Sequence, residues 1–166
     1  MNNEIIVIGG GLAGCEATYQ IAKRGIKVKL YEMKPDKFSP AHTNKNLAEI
    51  VCSNSFKSNL HTNACGLLKE ELRKLDSLLI KVADETSVPA GQALAVDREN
   101  FAKRVTEKLE KMDNVTIERK EVGKDSISLQ ELAKNSIVIV ATGPLTPDNL
   151  SKEILEITGQ EDMHFY

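Results

Sequence analysis

Ile5-Ile6-Val7-Ile8-Gly9-Gly10-Gly11-Leu12-Ala13-Gly14 decides the architecture of this 166-residue chain. Four consecutive β-branched residues with no polar alternation predict a strand buried on both faces. Glycines follow at once in the spacing G-x-G-x-x-G, and a helix is predicted from Leu12 to about Arg24, with Ala13, Ala17, Ile21 and Ala22 as apolar positions. Gly25 ends it. Val28–Tyr31 reads as a second strand closing on Glu32, 21 residues after Gly11. A strand, a tight turn, a helix and a strand in so short a span make a βαβ unit, and hence a parallel sheet. Each glycine then has its own task. Gly9 permits the turn, Gly11 lets a pyrophosphate approach the backbone, and Gly14 lets the helix pack closely on the strand. The phosphates would sit on free N–H groups at the positive end of the helix dipole. Gly9, Gly10, Gly11, Leu12, Ala13 and Gly14 are therefore candidate dinucleotide-binding residues, with Glu32 as acceptor for an adenosine ribose hydroxyl. The fingerprint serves NAD and FAD equally.

Outward from this unit the pattern first dissolves. Residues 33–59 carry Pro35, Pro40 and many Asn, Ser, Thr and Lys, with one apolar island at Ile50-Val51-Cys52. So long an irregular segment is usually functional or mobile. One amphipathic helix is predicted from about Asn63 to Asp84. Leu67, Leu68, Leu72, Leu75, Leu78, Leu79 and Val82 share one face, and Lys69, Glu70, Arg73, Lys74 and Lys81 lie mostly on the other. Pro89 and Gly91 break it. Ala93–Val96 is a strand candidate, and Asp97 is placed to N-cap a helix whose Phe101, Val105 and Leu109 fall four apart. Val115–Glu118 and Ile137–Val140 are further strands. The chain is thus one domain with an irregular and helical insertion at about 35–92.

Composition narrows the classes. Hydrophobic residues at 41% and charged residues at 28% describe a globular chain and exclude disordered and fibrous classes. A net charge of −2 is not that of a polycation built to coat phosphate backbones, although residues 23–74 carry +6 and residues 75–166 carry −6. Three cysteines without a C-x-x-C pair suit a reducing compartment better than a disulfide framework or a zinc site. The N-terminus lacks the basic start of a signal peptide, and no stretch approaches the ~20 apolar residues of a membrane span. A cytoplasmic location is expected, with no metal site assigned; His42 and His61 are isolated and receive no role.

Val138-Ile139-Val140-Ala141-Thr142-Gly143 is a strand ending in small residues, which lets backbone pass close to the same dinucleotide. With the N-terminal fingerprint it resembles the glutathione-reductase-type FAD-binding domain, which favours FAD and adds Gly143 to the candidate residues. The expected fold class is α/β, a Rossmann-like parallel sheet of that type, incomplete. Glu49-Ile50-Val51-Cys52-Ser53-Asn54-Ser55 and Val88-Pro89-Ala90-Gly91-Gln92-Ala93-Leu94-Ala95-Val96-Asp97-Arg98 are more specific still. With Gly66–Glu71 and Ala141–Thr146, they resemble the folate- and FAD-dependent tRNA (uracil-5-)-methyltransferase family, TrmFO or Gid, over nearly the whole chain. The nearest alternative is the larger flavoprotein family that modifies wobble uridines in tRNA.

That resemblance implies flavin-dependent transfer of the one-carbon unit of methylenetetrahydrofolate to C5 of a T-loop uridine in tRNA, with NADH or NADPH (NAD(P)H) as reductant. Cys52 matches the family's cysteine. A thiolate adding at C6 makes C5 of uracil a carbon nucleophile, and thiolates are intrinsically good at such additions. Ser53, Asn54, Ser55 and Lys57 give Cys52 a polar, locally basic setting. Cys15 and Cys65 read as packing. Arg98, near the cofactor in related flavoproteins, is a cofactor-binding candidate. Lys23, Arg24, Lys27, Lys45 and Lys57 read as a solvated basic face before they read as phosphate contacts. A small-molecule FAD or NAD oxidoreductase leaves the Cys-Ser-Asn-Ser segment unexplained, and a ribosomal RNA uridine is an alternative target within the same chemistry. Family members continue well past this length. Ending at His164-Phe165-Tyr166, the 166 residues are expected to be an N-terminal portion, weakly active or inactive alone, whose oligomeric state no residue indicates.

Overall fold

The computed structural model describes residues 4–160; His164–Tyr166 therefore lie outside the described residues. The elements in chain order are β1 (Glu4–Ile8), α1 (Leu12–Ala22), β2 (Lys27–Tyr31), β3 (Ser55–Ser58), α2 (Ala64–Lys74), α3 (Leu78–Glu85) and β4 (Ser87–Val88). There follow β5 (Ala93–Val96), α4 (Arg98–Glu110), β6 (Val115–Glu118), α5 (Leu129–Ala133), β7 (Ile137–Val140), a 3-10 turn at Gly143–Leu145, and α6 (Asp148–Thr158).

The main sheet is fully parallel, in the order β6-β2-β1-β7. Ile8 of β1 stands beside Tyr31 of β2 on one side and Val140 of β7 on the other. The glycine turn after β1 therefore opens at the carboxyl end of the sheet, between the ends of its two neighbours. Alternation along β1 divides the core. Val7 packs with Cys15, Val28, Leu30, Leu78, Val82, Phe101 and Val105, the side covered by α1, α3 and α4. Ile6 and Ile8 face the opposite way, onto Val122, Leu129 and Leu150 beneath α5 and α6. A sheet covered on both faces explains why β1 has no polar alternation. β7 is, like β6, an edge strand of this sheet among the described residues, and its Ile137 is 68% exposed.

Asp97 caps α4 as its sequence position predicts, accepting from the Asn100 amide at 3.1 Å, and Phe101, Val105 and Leu109 are fully buried. Ala93–Val96 is a strand, but of a second, antiparallel sheet ordered β3-β5-β4. The segment 63–84 departs from expectation: it is two helices. Ser77 caps α3 through the Ile80 amide, Asp76 adopts φ 57°, and Glu16 on α1 accepts from Ser77 Oγ at 2.8 Å and from the Leu78 and Leu79 amides. A carboxylate at a helix N-terminus stabilises a new start there.

The apolar face is reassigned as well. Leu78 and Val82 are buried, whereas Leu67, Leu68 and Leu75 are half or more exposed. Instead α2 lies close to the preceding loop at Gly66, where an added Cβ would come within 1.8 Å of the Leu60 carbonyl oxygen. Lys69 is buried on that side, donating to the carbonyls of Phe56 at 2.7 Å and Cys65 at 2.8 Å. Among the described residues, no helix is long and apolar enough to cross a membrane.

Candidate functional site

The glycine turn is held from every side. Gly9 has φ 102°, and a Cβ there would lie 2.7 Å from the Ala141 carbonyl oxygen. A Cβ at Gly14 would lie 1.8 Å from the Gly9 carbonyl oxygen, so α1 rests directly on the turn. Gly10 donates its amide to Glu32 Oε2 at 2.8 Å, while its carbonyl accepts from the Ala48 amide at 2.8 Å and from the Cys15 thiol. Gly11 is different. It is the N-cap of α1, its Cβ direction meets nothing within 4 Å, and neither a capping side chain nor a first-turn acid neutralises that helix end. The first-turn amides, those of Leu12 and Ala13 included, face the positive end of a helix dipole with room in front of it, the arrangement a phosphate requires.

Glu32 has more to do than its position at the end of β2 suggests. It is buried, and its two oxygens each accept a backbone amide, Gly10 N on one and Lys34 N (3.0 Å) on the other. It therefore fixes the glycine turn while each oxygen keeps a further lone pair for a ribose hydroxyl. These residues fit a dinucleotide.

The same cleft is lined by Gly9, Gly10, Gly11, Glu32 and Thr142, and by a wall from the irregular segment that includes Lys34, Ser39, His42 and Glu49. Sequence reasoning assigned none of these four. His42 Nδ1 lies 2.6 Å from Ser39 Oγ, and the buried Lys34 ammonium reaches the Asn46 carbonyl at 2.8 Å and Glu49 Oε2 at 3.2 Å. No spacing in the sequence signals them, because a loop fold and not a helical or strand period brings them together. Burial works against the charge on Glu49, but the Thr43 and Asn44 amides and Lys34 outweigh it and hold this carboxyl below the usual glutamate range.

A depressed folded-state value contributes stability that is complete above the unfolded value and is lost as pH falls through the folded one. Glu49→Gln is therefore expected to cost about 1–2 kcal/mol near pH 7, with the difference from the parent shrinking as pH falls through and below the usual glutamate range, as measured by urea unfolding.

Gly143 stands just past Thr142 with φ 68° and an open Cβ direction, opening the turn in which the Thr142 and Thr146 hydroxyls meet at 2.6 Å. Gly9–Gly14, Glu32 and Gly143 thus gather at one end of the sheet. Cys52 and Arg98 belong to a different neighbourhood. Cys52 is exposed, and the Ser53 and Asn54 that follow it line a shallow concavity with Val88, Val96, Asp97 and Arg98. Arg98 makes no ion pair among the described residues and is not part of the lining of the glycine cleft. Cys15 is buried inside α1, where desolvation, aided by the charge of Glu32, pushes its thiol up to about 12; a chemically silent packing residue results. Cys65 is half-buried.

Against known proteins, a family model described as glucose inhibited division protein A matches residues 4–164. The chain is 55% identical over all 166 residues to the methylenetetrahydrofolate--tRNA-(uracil-5-)-methyltransferase TrmFO of Acetivibrio thermocellus, covering 36% of that protein. It is likewise 55% identical to the TrmFO of Fusobacterium nucleatum, covering 37% of it, and 52% identical to that of Lactobacillus gasseri, covering 36%. The chain thus spans little more than a third of the length of these relatives. Among solved structures, Aquifex aeolicus GidA in its form II crystal superimposes with a TM-score of 0.56 at 19% identity, over 73% of this chain and 20% of GidA, a likeness of fold.

Proposed function

This chain belongs to the glucose inhibited division protein A family, and from that membership we propose that it provides the dinucleotide-binding portion of a folate-dependent tRNA uracil-5-methyltransferase. The observation that carries the reading is the identity of more than half the residues to proteins of that name, over the whole chain. The fold likeness to GidA at 19% identity leaves the choice of reaction to those relatives.

FAD is the dinucleotide we assign to the glycine cleft. The amides of α1's first turn, from Gly11 through Gly14, would hold its phosphates and Glu32 its ribose, supported by the uncapped helix end and the open space at Gly11. When bound, the flavin supplies redox chemistry and the handling of a one-carbon unit that no amino-acid side chain provides. The protein's own contribution is to position the reactants and to supply a nucleophile. Cys52 attacks C6 of a T-loop uridine in tRNA, charge develops on the uracil carbonyl system, and C5 becomes the carbon that accepts the unit from methylenetetrahydrofolate. The unit's bonds to folate nitrogen break as its bond to C5 forms; loss of the C5 proton and a hydride equivalent drawn ultimately from NAD(P)H bring the methylene to a methyl group, and departure of the thiolate from C6 restores the ring. NAD(P)H is the proposed reductant and the cytoplasm the proposed site of action.

The test is transfer of label from methylenetetrahydrofolate to tRNA lacking the T-loop methyl group, run with this chain and with one extended to its relatives' length. We expect folate-dependent labelling of C5 in the extended protein and little or none in the 166 residues. Methylation of C5 that takes up no label from methylenetetrahydrofolate, or a bound NAD in place of a flavin absorbance, overturns the assignment.

A further inference from the structure

The strand order β6-β2-β1-β7 lays the dinucleotide cleft out from end to end. The glycine turn follows β1 and Glu32 follows β2, the places given above to phosphates and ribose. β6 is the next strand outward: its Glu118 stands beside Tyr31, and the Glu118 carbonyl accepts from the Glu32 amide at 3.0 Å. Lys120, Glu121 and Val122, which follow β6, line the cleft beyond Glu32, where the base of a nucleotide would lie. The loop after β2 lines it as well, through Ser39 and His42.

That loop is fixed at its two ends. The Lys34 amide donates to Glu32, Arg119 donates to the carbonyls of Lys34 at 3.3 Å and Lys45 at 3.2 Å, and the Ala48 amide donates to Gly10. Between these anchors the stretch 36–42 bonds almost entirely to its own neighbours. The Lys37 amide donates to the Met33 carbonyl, the His42 amide to the Ser39 carbonyl, and the Ala41 amide and the His42 ring meet the Ser39 hydroxyl. Phe38 is 42% exposed, so apolar packing does not seat the stretch either. Among the described residues, one bond joins it to a distant part of the chain: Lys37 Nζ meets Glu121 Oε1 at 2.7 Å, 84 residues away in sequence. Glu121 is the steadier partner. The Ser126 hydroxyl donates to its carbonyl, and the next residue, Val122, is buried and bridged to Ile127.

We propose that Lys37 and Glu121 are positioning residues for the bound dinucleotide. Their ion pair joins the two lining segments at the base end of the cleft and keeps the loop closed against a seated nucleotide. The side chains are 53% and 21% exposed, and a pair so placed is weak and screened by salt. The loop therefore opens often enough to admit a ligand, while release is slowed. The role toward the dinucleotide rests on the function proposed above; the fastening of the loop does not.

Two rates test it. One is release of FAD from the protein extended to its relatives' length, followed by flavin fluorescence after dilution. The other is amide exchange over residues 36–42 in the ligand-free protein, read by mass spectrometry. Glu121→Gln keeps the shape of the side chain and removes its charge. It is expected to raise both rates about two- to fivefold at low ionic strength, with melting unchanged. Lys37→Gln is expected to do the same, and the double variant to go no further. Exchanging the charges, Lys37→Glu with Glu121→Lys, is expected to bring both rates back toward the parent, which loss of two side-chain shapes would not do. At about 1 M salt the parent is expected to release FAD as fast as the variants.

Faster loop exchange with unchanged release overturns the positioning role. Unchanged exchange overturns the fastening, and an exchanged pair that restores neither rate overturns its ionic basis. If the extended protein holds no FAD, the functional reading falls, while exchange in the ligand-free protein still decides whether the ion pair fastens the loop.

Discussion

Gly14→Ala should unfold or severely loosen this protein, although alanine is the best helix former and glycine inside a helix ordinarily costs about 1 kcal/mol. On propensity alone the change is stabilising. The structure reverses the sign. The new methyl would stand 1.8 Å from the Gly9 carbonyl oxygen and 3.0 Å from its carbon, far inside contact distance. Backbone atoms on both sides leave no flexible side chain to give way. Relief requires α1 to move off β1, which drags Cys15, Thr18 and Ala22 out of the core they fill. Overpacking of cores costs about 1–3 kcal/mol where side chains can adjust, and more where backbone must. Against a total stability of ~5–15 kcal/mol, a loss of 3 kcal/mol or more lowers the melting temperature by roughly ten degrees or prevents soluble expression. Gly11→Ala is the control, since its methyl meets nothing within 4 Å. That variant should melt like the parent and lose affinity for the dinucleotide proposed for the cleft. If Gly14→Ala melts at or above the parent, the close-packing account is wrong.

The second large effect concerns Cys52. Because it is exposed and not part of the core, Cys52→Ala should leave melting and flavin content unchanged. Methyl transfer in the protein extended to its relatives' length should fall by about 10³-fold or more, the scale of losing a covalent nucleophile. Any denaturant-resistant adduct that the proposed attack of Cys52 on C6 forms with tRNA should vanish with it. Activity within tenfold of the parent would return Cys52 to the status of a surface thiol.

The parts of this molecule legible in its sequence are those whose physics is local. A β-branched run, a glycine turn and an acid after the next strand are read from neighbours, and they place the cleft at the carboxyl end of β1. Asp97 caps α4 for reasons contained within four residues. What was not legible depends on partners distant in the chain. The break between α2 and α3 follows from Glu16, 61 residues before Ser77. Leu67, Leu68 and Leu75 follow a helical period yet stay exposed, because the tight approach at Gly66 and the buried ammonium of Lys69 decide which side of α2 faces inward. Ser39, His42 and Glu49 reach the cleft through a loop that has no period to read. Glu32 was legible as an acid in the right place, but its grip on the Gly10 amide was not.

That grip has a dynamic consequence. With its N–H bound to a buried carboxylate and its carbonyl bound to Ala48, Gly10 has neither backbone group free to wander. The most flexible residue type, at the centre of a three-glycine run, is thereby among the most restrained in the molecule. Both of its backbone groups are held by the protein itself, so little ordering entropy remains to be lost at Gly10 on binding. Amide exchange at Gly10 should accordingly follow the slow, cooperative opening of the sheet and not the rapid fluctuation of a surface loop.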